Sequence, residues 1–342
     1  MKFGPVSLDQ AEGKILGHNI AGLDGRRALR KGKSLTAADI ATLREIGRQM
    51  VYVAELDPDD VDEDRAARRV AEAAMGDGVR LSGPASGRVN FLATALGVLR
   101  VDVERLTRLN ECEGITLATL ASHTAVQPRQ MVATVKIIPF AVPEAMLRQV
   151  EQIALEGGPL IRVDALPPRP VSVILSGSPS VRERVIADFE PPLRARIEAL
   201  GSSIQALDFV PLEDERGEFA LAERLRQHAV AGAGLIVLAG ETAIMDRHDI
   251  APRAIERAGG EVTCVGAPVD PGNLLLIAYL GAVPILGAPG CARSRKVNVV
   301  DWVLPRLLAG DRLTRHDIVG LGHGGLLEDV PERPMPRTRI AE

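Results

Sequence analysis

From residue 171 onward the chain alternates two patterns. Short, nearly uncharged runs, "VSVIL" (171–175), "IQALDFVPL" (204–212), "GLIVLAG" (234–240) and "VPILGAPG" (283–290), are each followed by a longer stretch with one apolar face. The longer stretches are "VRERVIADFEPPLRARIEALG", "FALAERLRQHAVAG", "DIAPRAIERAGG" and "KVNVVDWVLPRLLAG". Strands covered on both faces lose the in-out alternation of half-exposed ones, and helices that cover them need only one apolar stripe. The repeat predicts an α/β fold over 171–330: a doubly wound, mainly parallel, three-layer α/β/α domain.

The first half reads differently. Residues 1–56 predict a small α+β module of short strands and turns, a helix capped near Thr36, and a strand "MVYVAE". Residues 57–165 predict a linker helix with an acidic start, "LDPDDVDEDRAARRVAEAAMG", and an α+β middle region. In that region "GVRLSGPASGRVNFLATALGVLRVDVERLTRLN" reads as a glycine-rich turn followed by helix, and the next stretch as strand-like runs around a polar turn "HTAVQPRQ". Ser82, Ser86, Arg88 and Asn90, and His123, Thr124, Gln130 and Lys136, are either ligand contacts or plain turn polarity. The proline-rich "LPPRP" at 166–170 marks a joint.

Composition removes several function classes. The formal charge is −4 with Lys and Arg interspersed among acids, and aromatic residues make up only 3%, so neither a basic footprint nor a base-stacking platform for nucleic acid is expected. Cys112, Cys264 and Cys291 lie far apart, which gives no disulfide framework and no cysteine zinc motif and points to a reducing cytosol. No apolar run reaches membrane-spanning length and the N-terminus carries no signal-like core, so a cytoplasmic protein without a membrane partner is expected.

Candidate chemistry gathers in the turns after the C-terminal strands, where open α/β sheets bind ligands. Ser176-Gly177-Ser178-Pro179-Ser180 either cradles a phosphate or starts a helix. Gly240, Glu241 and Thr242 leave a strand, and Asp246, His248 and Asp249 precede a helix with Pro252 in its first turn. Asp249 is either an N-cap or, with Asp246, half of a carboxylate pair able to hold Mg²⁺ against a phosphate. Gly287 to Ser294 adds Arg293, with Arg295 beyond it, as anion partners. All three turns suit a phosphorylated ligand.

The order of these turns resembles the MoeA/MogA-type molybdopterin-binding domain family of molybdenum-cofactor biosynthesis. That family has a T-G-D-E-like turn, then G-G-x-S/T-x-G-x-x-D, then K-P-G and L-P-G-N-P. The matching positions here are Ser176-Gly177, Gly240 through Asp249, Asp270-Pro271-Gly272 and Ala288-Pro289-Gly290, spread over residues 171–300. "HDIAPRAI" is similar to the R-D-V-T-P-E-A-T segment of the MogA branch, which places Asp249 at its catalytic aspartate with one extra residue before it. "RKGKSLTAADIATLREIGRQMVYVAE" looks like the segment leading into this domain in MoeA-type proteins.

The resemblance implies molybdopterin, or its nucleotide form, as ligand and a homo-oligomer as assembly. It also implies other cofactor-synthesis enzymes or molybdoenzymes as partners. Asp249 and Asp246 would serve as catalytic and Mg²⁺-binding carboxylates. Ser176, Gly177, Ser178, Ser180, Gly240, Glu241, Thr242, Pro271, Gly272, Pro289, Gly290, Cys291, Arg293 and Ser294 would contact the ligand. Three departures stand out: Ser178-Pro179 replaces the two acids of the first turn, Glu241 replaces the second glycine, and Cys291-Ala292 replaces N-P. Cys291 is either an inert small residue or a neighbour of the dithiolene. Three functions stay open at this point: Mg²⁺-dependent nucleotidyl or molybdenum transfer, a non-catalytic molybdopterin carrier, or an α/β enzyme acting on another phosphorylated metabolite.

Overall fold

The computed structural model describes residues 1–212 and 215–327. The last three residues of the expected 171–330 domain fall outside that range. The chain forms two compact units. The first holds Met1–Ala95, Leu99–Ser122 and Val126–Val163; the second holds Leu96–Val98, His123–Ala125 and the chain from Asp164 on. No described helix is long and apolar enough to cross a membrane.

Within the first unit, strand Met50–Glu55 lies between Lys2–Ser7 and Ile15–Leu16 in an antiparallel sheet. Helix Ala37–Glu45 begins at Thr36, whose hydroxyl accepts from the Asp39 N–H while the Asp39 carboxylate accepts from the Thr36 N–H. That reciprocal cap is why the helix starts there. Leu8, Leu16, Leu35, Leu43, Val51 and Val53 close a small core of their own. In the rest of this unit, helix Glu63–Ala74 turns a face of Ala66, Ala67, Val70, Ala71 and Ala74 inward. That face packs on a four-stranded antiparallel sheet in the order Ile115–Thr119, Met131–Ile137, Arg88–Ala93, Val79–Leu81.

Here the expected helix after the glycine-rich turn is corrected. Arg88–Ala93 and Gly97–Val101 are strands, and the helix begins only at Val103, after Asp102 caps the Arg105 N–H at 3.0 Å. Val89, Phe91 and Ala93 are buried while the residues between them are not, a period of two rather than 3.6. Several polar residues of this region bond within the sheet and its turns. The Ser82 hydroxyl accepts from the Asn90 N–H at 3.0 Å, Thr134 Oγ1 donates to Asn90 Oδ1 at 2.8 Å, and Lys136 donates to the Ser86 carbonyl at 2.8 Å. The Gln130 side chain accepts from the Gln127 N–H at 2.9 Å and so closes its own turn.

The second unit is built from β1 (Pro170–Gly177), α1 (Arg182–Ala199), β2 (Ser203–Pro211), α2 (Glu215–Val230), β3 (Leu235–Gly240), α3 (Ile250–Arg257), β4 (Glu261–Val265), β5 (Leu276–Leu280), β6 (Val283–Gly287) and α4 (Val299–Ala309). Its six strands lie in the order β2-β1-β3-β6-β5-β4. β2, β1, β3 and β6 run parallel, and β5 runs antiparallel to both of its neighbours. Side chains alternate across the sheet. Val171, Val173, Leu175, Leu235 and Val237 meet α1 and α4 on one face, while Ile174, Ile236 and Leu238 meet α2 and α3 on the other. The result is the mainly parallel three-layer arrangement expected from the sequence. Each large side chain buried this way contributes about 1.5–3 kcal/mol.

Candidate functional site

β1 leads through α1 to β2 on one side, whereas β3 leads toward β6 on the other. The crevice beyond their carboxyl ends is therefore a topological switch point, where parallel sheets leave room for ligands. The register sets Ser176 of β1 beside Gly240 of β3. A Cβ on Gly240 would lie 2.4 Å from Ser176 Oγ and 2.6 Å from its carbonyl oxygen, so the glycine there follows from the approach of the two strand ends.

A cavity of about 250 Å³ opens at this point on the α2/α3 side of the sheet. Its polar rim is Ser176, Gly240, Thr242 and Asp249, and Ile250, Ala251 and Ala288 also line it. Its floor is apolar, with Ile174, Leu212, Leu221 and Leu238. Pockets that enclose a whole small ligand run to roughly 300–1,000 Å³, so this one suits one end of a ligand.

Asp249 occupies the N-cap position of α3, yet no side chain caps that helix. Its carboxylate turns back instead: Oδ2 accepts from the N–H groups of Met245 at 2.6 Å and Asp246 at 3.0 Å. Asp246 Oδ1 in turn accepts from the His248 N–H at 2.8 Å. The two aspartates thus stitch the loop that leads into α3. With Pro252 in the first turn lacking an N–H, the N–H groups of Ile250 and Ala251, both residues of the cavity lining, start the helix without a cap bond from Asp249. A buried carboxylate, Glu218, braces α2 against α3 through Arg253 at 2.9 Å and Arg257 at 2.7 Å.

The other expected ligand contacts fall into two groups away from this lining. Gly177, Ser178, Ser180 and Glu241 lie together at the β1 turn. Glu241 Oε2 accepts from the Ser178 N–H and from its hydroxyl, both at 3.0 Å, and Arg184 approaches Oε1 at 3.3 Å. The Ser178 N–H and hydroxyl, in that order, hold the Glu241 carboxyl below the usual carboxylate range. Arg184 was not singled out in the sequence; it lies on the first turn of α1, a position that by itself gives no signal.

Pro271, Gly272, Pro289, Gly290, Cys291, Arg293 and Ser294 lie near the start of α4 or on its approach. Gly272 has φ +145°, and a Cβ there would fall 2.4 Å from Val299, so only glycine fits. The Pro271 carbonyl accepts from the Val299 N–H at 3.3 Å. Arg293 donates to the Gly290 carbonyl at 3.0 Å and lies over the Phe189 ring of α1, with Asp188 at 3.9 Å. The Ser294 hydroxyl accepts from the Lys296 N–H at 3.1 Å. Burial pushes the Cys291 thiol up to about 11, which keeps it a thiol at neutral pH. Among the described residues no three His, Cys, Asp or Glu side chains gather into a group that could hold a metal ion, so the protein offers Mg²⁺ at most a pair of carboxylates, Asp246 and Asp249, beside a ligand's own phosphate.

A family model described as "Domain of unknown function (DUF8806)" matches residues 5–55. No curated protein matches the chain. Among solved structures, the chain is similar to a molybdenum cofactor biosynthesis protein from Pyrococcus furiosus at 13% identity and a TM-score of 0.25, over 93% of this chain and 65% of that one. It is also similar to the molybdopterin biosynthesis MoeA protein from Pyrococcus horikosii at 14% identity and a TM-score of 0.29, over 90% of this chain and 75% of that one. The molybdopterin biosynthesis enzyme MoaB from Thermus thermophilus matches at 20% identity and a TM-score of 0.31, over 41% of this chain and 97% of that one. The chain thus spans 65% of the length of the Pyrococcus furiosus protein. Scores and identities this low assign no function, and the fold stands on the strand pairing described above.

Proposed function

We propose that the second unit binds a molybdopterin-class ligand, a flat heterocycle carrying a phosphate, and acts in molybdenum-cofactor biosynthesis. The observation that carries this reading is the uncapped start of α3, which opens beside Asp249 and Thr242 into the cavity at the β1/β3 switch point. Unpaired N–H groups at a helix N-terminus attract a phosphate. The apolar floor suits the adjoining part of a ring system. The order of turns quoted from the sequence supports the choice of ligand.

In this reading Thr242 and the first-turn N–H groups of α3 hold the phosphate, and Asp249 faces the reacting end. Asp249 has one oxygen engaged by two N–H groups, which leaves Oδ1 for a Mg²⁺ shared with the ligand's phosphate, with Asp246 beside it. A bound Mg²⁺ would neutralise charge during nucleotidyl or molybdenum transfer. The protein residues orient the phosphate and exclude water from the apolar floor. Homo-oligomers and contacts with other cofactor-synthesis enzymes or molybdoenzymes belong to the same proposal.

A carrier without turnover is the second reading. It is favoured by the engagement of both aspartates in holding their own loop and by the serine and proline at 178 and 179 where the family turn has acids. The test is to purify the chain from cells that make the cofactor, extract and oxidise it, and look for pterin fluorescence. Stoichiometric pterin is the expected result. Its absence from protein that also fails to take up added molybdopterin would remove this reading and leave an α/β protein for another phosphorylated metabolite.

A further inference from the structure

Two turns follow the strand ends at the switch point, and they differ in whether a carboxylate of the chain holds their donors. At α3 no side chain caps the helix. At the β1 turn, by contrast, a carboxylate already holds both donors of Ser178. The Ser178 N–H and hydroxyl both reach Glu241 Oε2 at 3.0 Å, and Arg184 reaches Oε1 at 3.3 Å. Ser180 adds only a 3.5 Å contact to the Ser178 hydroxyl. A carboxylate is a planar anion with the same hunger for N–H and guanidinium donors as a phosphate oxygen pair, so it satisfies this turn from within the chain.

The arrangement is fitted rather than incidental. A Cβ on Gly177 would lie 3.0 Å from the Glu241 Cβ and 3.2 Å from Oε2, so glycine at 177 leaves the room in which Glu241 folds over the turn. The Glu241 N–H is anchored on the Ser176 carbonyl at 2.8 Å, which fixes the base of the side chain. An incoming anion at this turn would have to displace the carboxylate or sit against its charge.

We propose that Glu241 is a specificity-determining residue that bars anionic groups from the β1 turn and leaves the start of α3 as the place for a ligand's phosphate. This rests on the reading of the switch-point crevice as the ligand site. It gives binding a polarity: the phosphate lies at α3, and a hydrogen-bond-donating edge of the ring lies toward Glu241. A ligand with anionic groups at both ends is rejected.

The test uses inorganic phosphate as probe and backbone amide ¹⁵N–¹H spectra as readout, on the full chain as wild type, Glu241→Gln and Glu241→Ala. In the wild type the Ile250 and Ala251 amides shift with phosphate while Ser178 stays still over the same range. In Glu241→Ala the Ser178 amide responds at a phosphate concentration at least tenfold lower than in the wild type, and Glu241→Gln falls between. Amides away from the crevice report that each variant is folded. A Ser178 amide that titrates alike in wild type and Glu241→Ala overturns the proposal, as does a wild type in which Ile250 and Ala251 never respond. A correct phosphate pattern with no binding of molybdopterin would sink the ligand assignment alone and leave the role of Glu241 standing.

Discussion

Gly240→Ala is the sharpest perturbation of the switch point. The added methyl would sit 2.4 Å from Ser176 Oγ and 2.6 Å from Ser176 O. The hydroxyl can rotate away, but the carbonyl is fixed: its oxygen also accepts from the Glu241 N–H at 2.8 Å. The two strand ends must therefore part by about 0.8 Å to reach ordinary contact, an overpacking strain of about 1–3 kcal/mol. Weakening the Glu241 N–H bond adds about 0.5–1.5 kcal/mol. A loss of roughly 1.5–4.5 kcal/mol corresponds to a melting point lower by roughly 3–18 °C for a unit of this size. Trp302, the single Trp, lies in α4 against the core of the same unit and reports its unfolding by fluorescence. Gly320→Ala is the control, because its φ is −61° and no atom lies within 4 Å of the added methyl. If Gly240→Ala melts with the control, the claimed closeness of β1 and β3 at their ends is wrong.

Other expectations follow from the same geometry. Glu218→Ala removes the buried partner of Arg253 and Arg257 and should cost about 1–3 kcal/mol in urea denaturation, with α3 amides showing the largest rise in hydrogen exchange. Asp39 is held at about 2, below its ordinary 3.8, chiefly by the Lys33 ammonium at 2.5 Å and then by the Thr36 N–H. A depressed carboxyl pKa gives stability that is present above the ordinary value and lost as pH falls through the folded one. Melting of the wild type should therefore drop between about pH 4 and pH 2, and Asp39→Asn should show a shallower drop there. Burial raises the thiols of Cys112, Cys264 and Cys291, so Ellman's reagent at pH 7.5 should find no fast-reacting thiol in the native chain and three after denaturation.

Much of the second unit was legible because strands covered on both faces carry few charges and their helices carry one apolar stripe. Strand direction was not. β5 and β6 are joined by Gly281-Ala282 as a tight hairpin, a turn signal that the apolar runs on either side outweighed. The Arg88–Ala93 strand was hidden because Leu92 and the alanines around it blur the period-two pattern that burial makes plain.

At the candidate site, Asp249 before a helix with Pro252 was readable as a cap position. Nothing local tells that its carboxylate folds back on Met245 and Asp246 and leaves the helix open. Glu241 and Ser178 lie 63 positions apart, and only the pairing of β1 with β3 brings them together. Of the motif positions between Pro271 and Ser294, Ala288 reaches the cavity lining, whereas Pro271, Gly272, Pro289, Gly290, Cys291, Arg293 and Ser294 lie toward α4, which the sheet separates from α2 and α3.

The most direct measurement is a calorimetric titration of molybdopterin, with and without Mg²⁺, into the wild type and into Ala251→Trp, whose indole fills the cavity at the start of α3. Saturable binding near one ligand per chain in the wild type, weakened at least tenfold in Ala251→Trp while far-ultraviolet circular dichroism and the melting point report an intact fold, is the expected result. Equal binding by both proteins, or none by the wild type, would contradict a ligand site at the β1/β3 switch point.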